Sequence, residues 1–481
     1  MSGRIVAGIV VSFLLMGCLA LAFSIRQVKA NGTIYIKADG SIDPSTAPIS
    51  TSDQSTYTFT DDVYDMIVVQ RNNIVIDGNN HKVQGDGSSY GIDLRQRNNV
   101  TVKGVEVLRF ESGICVHDAS NIVLIDNKVS NSSRDGISGW RVSNSSFVNN
   151  VISNNEYDGI YIGEVPSDNN MIINNILSRN GASGIGLAGS KNCSLTNNTV
   201  SYNNLGIRLS YGAHQNVVMN NTIFSNNYWG ICIDSSSNNS VICNTIKNNQ
   251  EVGLAFWYPS SYNKIHHNNF IDNARQVDSY SGFAKNSWNS GYTDEGNYWS
   301  DYTGVDQNLD GIGDTPIVID VNNTDCFPLM GMFSSFGVTS EHCVQTICNS
   351  TMLDFQFDGA AIRFNISGEN GTAGFCRICV PQELMSEPYH VFVNGTEILP
   401  PPQPLPCSNS THNYLYFNYT HSTKEITIIP EFPSFLVLSV FMITAFAAFI
   451  VHKRKHLHKV EMEISPRFTR TETEEMVNDV R

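Results

Sequence analysis

A glycine followed by Ile or Leu recurs at Gly91, Gly113, Gly136, Gly159, Gly184, Gly206, Gly230 and Gly253, at intervals of 22 to 25 residues. A second marker keeps the same period: an asparagine at Asn127, Asn150, Asn175, Asn198, Asn221, Asn244 and Asn269. A fixed period of this length signals a stack of repeated units. Within each unit, stretches such as Gly159-Ile160-Tyr161-Ile162 and Gly206-Ile207-Arg208-Leu209 alternate with the period of a strand. Clusters of Asn, Ser and Gly separate these stretches and read as turns. The unit is too short for a strand plus a long helix. Leucine-rich repeats share the length, but their leucine spacing is absent. Three short strands per coil, stacked in parallel, fit best. Equivalent residues then lie about 4.8 Å apart. Inward Ile, Leu and Val form a continuous core, and the asparagines form a hydrogen-bonded ladder at one turn. The asparagines are therefore structural, and the open ends of the stack need caps.

The two ends of the chain read differently. Arg4 precedes an apolar run from Ile5 to Phe23, and Val28-Lys29-Ala30 offers small residues at the −3 and −1 positions. Residues 1–30 read as a signal peptide. Leu15-Met16-Gly17-Cys18 loosely matches a lipobox, but the apolar run continues past Cys18, so that cysteine is incidental. Near the other end, Phe432 to Val451 carries no charge, and a cationic cluster from His452 to Lys459 follows. Residues 432–451 are long enough for a transmembrane helix. The cluster places the 452–481 tail in the cytoplasm and the bulk of the chain outside. Asn-x-Ser/Thr sequons run from Asn31 to Asn418 and none follows the span, in keeping with that topology. Net charge is −15, which excludes nucleic acid as a partner and fits a solvated surface protein or a cation binder. Ten of the 11 cysteines remain after the signal peptide. Cys326, Cys343, Cys348, Cys376, Cys379 and Cys407 cluster late, and disulfides suit them outside the cell, with pairings that spacing does not reveal. Cys376-x-x-Cys379 is half of a zinc motif without its second half.

The opening Gly32-Thr33-Ile34-Tyr35-Ile36-Lys37-Ala38-Asp39-Gly40 and the first-coil segment Asn73-Ile74-Val75-Ile76-Asp77-Gly78-Asn79 resemble the NosD-like family of periplasmic copper-binding β-helix proteins, in the form found on archaeal surfaces. So does the closing segment Asn297-Tyr298-Trp299-Ser300-Asp301-Tyr302 with Asp310-Gly311-Ile312-Gly313-Asp314. The resemblance spans about residues 31–330. It implies a right-handed parallel β-helix of the superfamily that binds or hydrolyses carbohydrate; activity does not follow from membership. Alternating stretches near Ile362–Asn365, Tyr389–Asn394 and Ile426–Ile429 resemble a small β-sandwich over 333–429, and Pro430-Glu431-Phe432-Pro433-Ser434 is similar to an archaeal Pro-Glu-Phe membrane anchor. Pro400-Pro401-Pro402 breaks any strand and reads as an exposed loop. The fold class expected is thus all-β: a right-handed parallel β-helix, a small β-sandwich and one C-terminal transmembrane helix.

Four sets of residues carry candidate chemistry. Asp306, Asn308, Asp310, Ile312 (through its carbonyl) and Asp314 match the start of an EF-hand-type loop, with Gly311 at the sharp turn. Ile317 replaces the closing bidentate Glu, so the expectation is Ca²⁺ in a stabilising role; the bland alternative is an Asx-rich turn. Alternation points Asp93, Cys115, Ser138, Tyr161, Arg208 and Cys232 outward, with Arg95, His117, Trp140, Asp234 and Trp257 beyond them. Trp140, Tyr161 and Trp257 are the candidate sugar-stacking residues. The bland alternative is ordinary solvated strand surface. Asp135 and Asp158 precede the repeat glycine in neighbouring coils and form the best acid pair for glycoside chemistry, unless they cap turn backbone instead. Copper would need converging His, Met or Cys. His266 and His267, adjacent in a strand, are expected to point to opposite faces, and the sequence offers no copper site. The leading reading is a membrane-anchored surface β-helix that binds carbohydrate or a surface partner without catalysis. A polysaccharide lyase or hydrolase, and a NosD-like copper-site maturation factor, are the alternatives.

Overall fold

The computed structural model describes residues 32–280, 284–290 and 295–431. The expected signal peptide, membrane span and cytoplasmic tail lie outside the described residues. Within them every regular element is a β-strand. Among the described residues no helix is long and apolar enough to cross a membrane.

The repeat folds into a parallel β-helix with three strand stacks. In the first stack, Ile92, Ile114, Ile137, Ile160, Ile185, Ile207, Ile231 and Leu254 are consecutive register partners. The second runs from Val102 through Phe147 and Leu195 to Ile265. The third is a sheet of ten strands, with its inward row running from Val83 to Trp299. The inward residues of all three stacks are buried in one cluster. Inward Val and Ile prefer extended backbone and pack flat against the residue one coil away, which is why the apolar set is β-branched.

Asparagine ladders stand at all three corners, where one was expected. Asn221 shows what each rung does. Its Oδ1 accepts from the backbone N–H and the Nδ2 of Asn198, at 2.8 and 3.0 Å. Its Nδ2 donates to Leu195 O, Met219 O and Asn244 Oδ1. The other corners use Asn155, Asn180, Asn203, Asn226 and Asn249, and Asn170, Asn216, Asn239 and Asn263. The expected final rung, Asn269, is corrected to Asn268, which accepts from Asn244 N at 3.0 Å. Asn269 instead exchanges two hydrogen bonds with the backbone of Phe333. Asn268 and Asn269 are adjacent and both lie near the repeat spacing from Asn244, so only the corner geometry tells them apart.

The repeat glycine has a steric cause. A Cβ on Gly206 would stand 2.3 Å from the carbonyl oxygen of Gly230 in the next coil, and each neighbouring repeat glycine has the same conflict. Any side chain there would push the coils apart.

An antiparallel hairpin, Ile34–Ile36 with Ile42–Asp43, closes the N-terminal end. Beyond the coils, the chain forms a four-stranded and a five-stranded antiparallel sheet. Their facing residues, among them Val344, Ile378, Leu415, Phe364 and Ile426, make a second core. The opposite face of the four-stranded sheet, with Phe333, Ile347 and Phe375, packs on Ile312 and Leu329 in a third cluster. That sheet therefore covers the last coils.

Replacing Asn221 with Ala removes five hydrogen bonds and strands buried backbone groups of two coils. The expected loss of stability is about 2–4 kcal/mol. It is read by urea unfolding, with hydrogen exchange localising the loss to the coils around residues 195–245. A loss under about 0.5 kcal/mol would mean the ladder is incidental.

Candidate functional site

The first strand stack presents the outward face. The expected middle row is in register: Asp93, Cys115, Ser138, Tyr161, Gly186, Arg208 and Cys232 are successive partners. It is not a solvated row, however. Asp93, Cys115, Ser138 and Cys232 are buried, because larger side chains on either side close over them. Burial pushes the Cys232 thiol up to about 12, so it is not a nucleophile near neutrality.

The three expected stacking residues do not form one cluster. Trp140 lies on His117 with ring centroids 5.1 Å apart and an interplanar angle of 14°. Tyr161 is half-buried in the next coil. Trp257 stands five coils beyond Trp140, roughly 24 Å along the axis. There it meets two rings that the sequence reading missed. Trp229 and Tyr280 lie 5.1 and 5.2 Å from Trp257 and 5.2 Å from each other. Trp257, Tyr258 and Tyr280 are all exposed. Trp229 was overlooked because it precedes its glycine rather than following it. Tyr280 belongs to a coil in which Gln276 takes the glycine position, and the unbroken 23-residue step from Gly253 was the available signal.

Arginines on this face are already neutralised. Arg95 pairs with Asp93 at 2.6 Å, Arg208 with Asp234 at 2.8 Å, and Arg275 with Asp278. Each guanidinium also lies over a tyrosine ring, on Tyr90, Tyr211 and Tyr280 respectively. The result is an aromatic surface with little net charge.

Asp135 and Asp158 stack in neighbouring coils as expected. Asp158 N donates to Asp135 Oδ1 at 3.3 Å, and Ser183 N donates to Asp158 Oδ1 at 2.6 Å. One oxygen of each thus caps the next coil's backbone. Burial, then the charge of Asp135, pushes the Asp158 carboxyl up to about 6. Burial also raises Asp135. A Cβ on Gly186 would lie 3.4 Å from Asp158 Oδ2 and 3.5 Å from Tyr161 Cδ2, so glycine leaves the carboxylate and the phenol side by side.

The candidate calcium loop bonds to itself. Asp306 accepts from the backbone of Asp310 and Gly311, Asp310 Oδ1 from Ile312 N at 2.8 Å, and Asp314 Oδ2 from Gln307 N at 2.8 Å. Asn308 Nδ2 donates to Asp310 Oδ2 at 3.0 Å. Burial raises the Asp306 carboxyl. The loop also anchors the C-terminal sheets, since Arg377 Nη1 donates to Asp310 O at 2.9 Å.

Arg377 Nη2 continues to Glu295 Oε1 at 2.7 Å, both side chains being buried at the junction. Glu295 Oε2 lies 2.8 Å from His267 Nε2, and His267 Nδ1 lies 2.9 Å from His266 Nδ1. The opposite-face expectation for the two histidines is thereby corrected. His266 ends its strand and His267 has φ 58°, the left-handed corner conformation, so alternation stops between them. Burial first, then His267, holds the His266 imidazole down to about 4.

Fold and face together define a parallel β-helix protein with an aromatic outer surface. The description "Periplasmic copper-binding protein (NosD)" matches residues 30–170 and 164–304. The chain belongs to that family. Among solved structures it is similar to the AlgE6 A-module, a mannuronan C-5 epimerase of Azotobacter vinelandii, at 14% identity and TM-score 0.38, over 50% of this chain and 81% of that one. The alginate lyase from Paenibacillus sp. str. FPU-7 matches at 14% identity and TM-score 0.37, over 45% and 91%. The Dettilon tailspike protein matches at 12% identity and TM-score 0.37, over 82% and 93%. No curated protein matches the chain.

Because Asp158 binds protons more readily folded than unfolded, its charge weakens the fold as pH rises from about 4 through 6. Asp158→Asn keeps the acceptor for Ser183 N and removes that charge. It should raise stability at pH 7 by on the order of 1 kcal/mol and flatten the decline between pH 4 and 6. Denaturant titrations at several pH values read this out, and an unchanged slope would contradict it.

Proposed function

We propose that the chain is a surface β-helix that binds a neutral polysaccharide along the outward face of its coils, without cleaving it. The observation that carries the reading is the cluster of Trp229, Trp257 and Tyr280, three rings in mutual contact beside an exposed aromatic edge. Sugar rings present C–H faces that stack on such platforms. Paired arginines argue for a neutral ligand, because a polyuronate calls for unpaired cations along the face. Trp140 on His117, with Tyr161 one coil on, supplies a second contact upstream.

Display outside the cell, through residues 432–451 with the N-terminus outside, is part of this reading. It rests on the apolar run and the cationic cluster behind it. The partners expected are the membrane and a glycan or surface protein. Ca²⁺ in the Asp306–Asp314 loop is likewise proposed as a stabiliser of the junction. Chelation should then speed hydrogen exchange around residues 300–330 and leave the coils untouched; uniform loss of protection would contradict a local role.

A second reading, glycosidic cleavage, is favoured by one observation: Asp135 and Asp158 stacked beside Tyr161, with Asp158 at about 6, suits a general acid near neutrality. Against it stands the use of one oxygen of each aspartate as a backbone cap.

The family description implies copper, and the donors here do not fit it. Among the described residues, the one group of three His, Cys or carboxylate donors close enough to surround an ion is Asp61, Asp62 and His81. Two hard oxygens and one imidazole lack the thiolate or thioether that selects copper(I), and three donors fall short of the four of a tetragonal copper(II) site.

The test is a glycan array with the purified chain, monitoring released reducing ends on each hit. Binding without release is expected, and Trp257→Ala should weaken it about tenfold. Released ends would overturn the non-catalytic reading and bring Asp135 and Asp158 forward. No binding to any neutral glycan would overturn the ligand class.

A further inference from the structure

The late cysteines gave no pairing from spacing, but the sheet register does. Cys348 ends the strand Cys343–Cys348, and Cys376 lies within Ala373–Pro381. The two are direct cross-strand partners in the antiparallel four-stranded sheet. Direct partners share a face, with Cβ atoms about 4.5–5.5 Å apart, and small strand adjustments bring that within reach of a disulfide. Both side chains are buried in the core between the two sheets, so no competing thiol from solvent reaches them. Cys379, three positions further along the strand, points to the other face: its partner is Gln345. Cys343 shares the face of Gln345, which looks toward the coils.

We propose that Cys348 and Cys376 form a structural disulfide that staples the four-stranded sheet. In the closed sheet the two thiols share one buried contact. Tyr419 Oη lies 3.2 Å from its sulfur, and Ser350 N donates to it at 3.4 Å. The Cys376 thiol foremost, then Tyr419 and Ser350, hold the Cys348 thiol down, against burial. Burial pushes the Cys376 thiol up.

The oxidant is the disulfide of a thiol–disulfide oxidoreductase, acting before the two sheets close over the pair. The thiolate of one cysteine attacks one oxidant sulfur; a mixed disulfide forms and one oxidant thiolate leaves. The other cysteine, having lost its proton, attacks the first cysteine's Sγ and expels the second oxidant thiolate. The chain loses two protons and two electrons, and the oxidant is reduced to a dithiol. The proposal rests on the export reading in one respect, the oxidising compartment.

The test is non-reducing peptide mapping of the full chain, expressed with its own leader in a host that oxidises exported thiols, and denatured in alkylating reagent. The expected result is the peptide ending at Arg377 joined to the one holding Cys348, lighter by two hydrogens than the two separate thiol peptides. The link should survive Cys326→Ser and Cys343→Ser, the other cysteines of the same peptide, and be lost in Cys348→Ser. Reductant should lower the melting temperature of the C-terminal sheets by on the order of 10 °C, and should not do so in a Cys348→Ala, Cys376→Ala double variant. The same map reads the N-terminus. A chain starting at Asn31 with Cys348 and Cys376 alkylated, or with Cys376 joined elsewhere, overturns the disulfide and leaves export standing. An attached leader with free thiols overturns both.

Discussion

The close stacking of coils, held by buried asparagine side chains, is the constraint on which the molecule depends. Each rung satisfies backbone groups in two coils at once, as Asn221 does for Leu195 O and Asn198 N in one coil and Met219 O in its own. The corners would otherwise bury unpaired donors and acceptors, at a cost that inward Val and Ile packing would struggle to offset. The glycine row belongs to the same constraint. With carbonyl oxygens of the next coil 2.3–2.9 Å from any added Cβ, only glycine lets the coils approach to hydrogen-bonding distance.

That stacking makes the outward face a ruler. Residues about 23 apart in sequence become neighbours about 4.8 Å apart in space. A single aromatic per coil can therefore build a continuous surface, and Trp229, Trp257 and Tyr280 do so although they span more than 50 residues. The same spacing sets carboxylates next to each other. Asp135 and Asp158 are weaker acids than free aspartate because the stack buries them together, not because of any local motif. Arginines paired with aspartates in the same or a neighbouring coil leave the surface aromatic but nearly neutral.

At the C-terminal end the repeat cannot continue, and a different interaction takes over. Arg377, from the two-sheet unit, reaches Glu295 of the closing segment and the carbonyl of Asp310. Burying this pair costs desolvation on both sides; Asp310, Tyr414 and His267 offset part of it, while Arg377 Nε stays buried without a hydrogen-bond partner. Such a contact tolerates few docking geometries, so it fixes how the sheets cover the last coils.

How much of this was written in the sequence follows from the range of each interaction. The β-helix, its period, its inward Ile row and the structural role of asparagine were legible, because each repeats at fixed spacing and depends only on the adjacent coil. The outward register of Asp93, Cys115, Ser138, Tyr161 and Arg208 was legible for the same reason. Where local periodicity breaks, sequence reasoning went astray. Asn268 rather than Asn269 carries the ladder, and His266 and His267 meet because a left-handed corner interrupts the alternation. Burial of the middle row escaped notice because it depends on side chains in flanking rows. Partners distant in sequence could not be foreseen at all. Arg377 with Glu295, and Cys348 opposite Cys376, are fixed by strand register and by the docking of one sheet on another, which no spacing along the chain encodes.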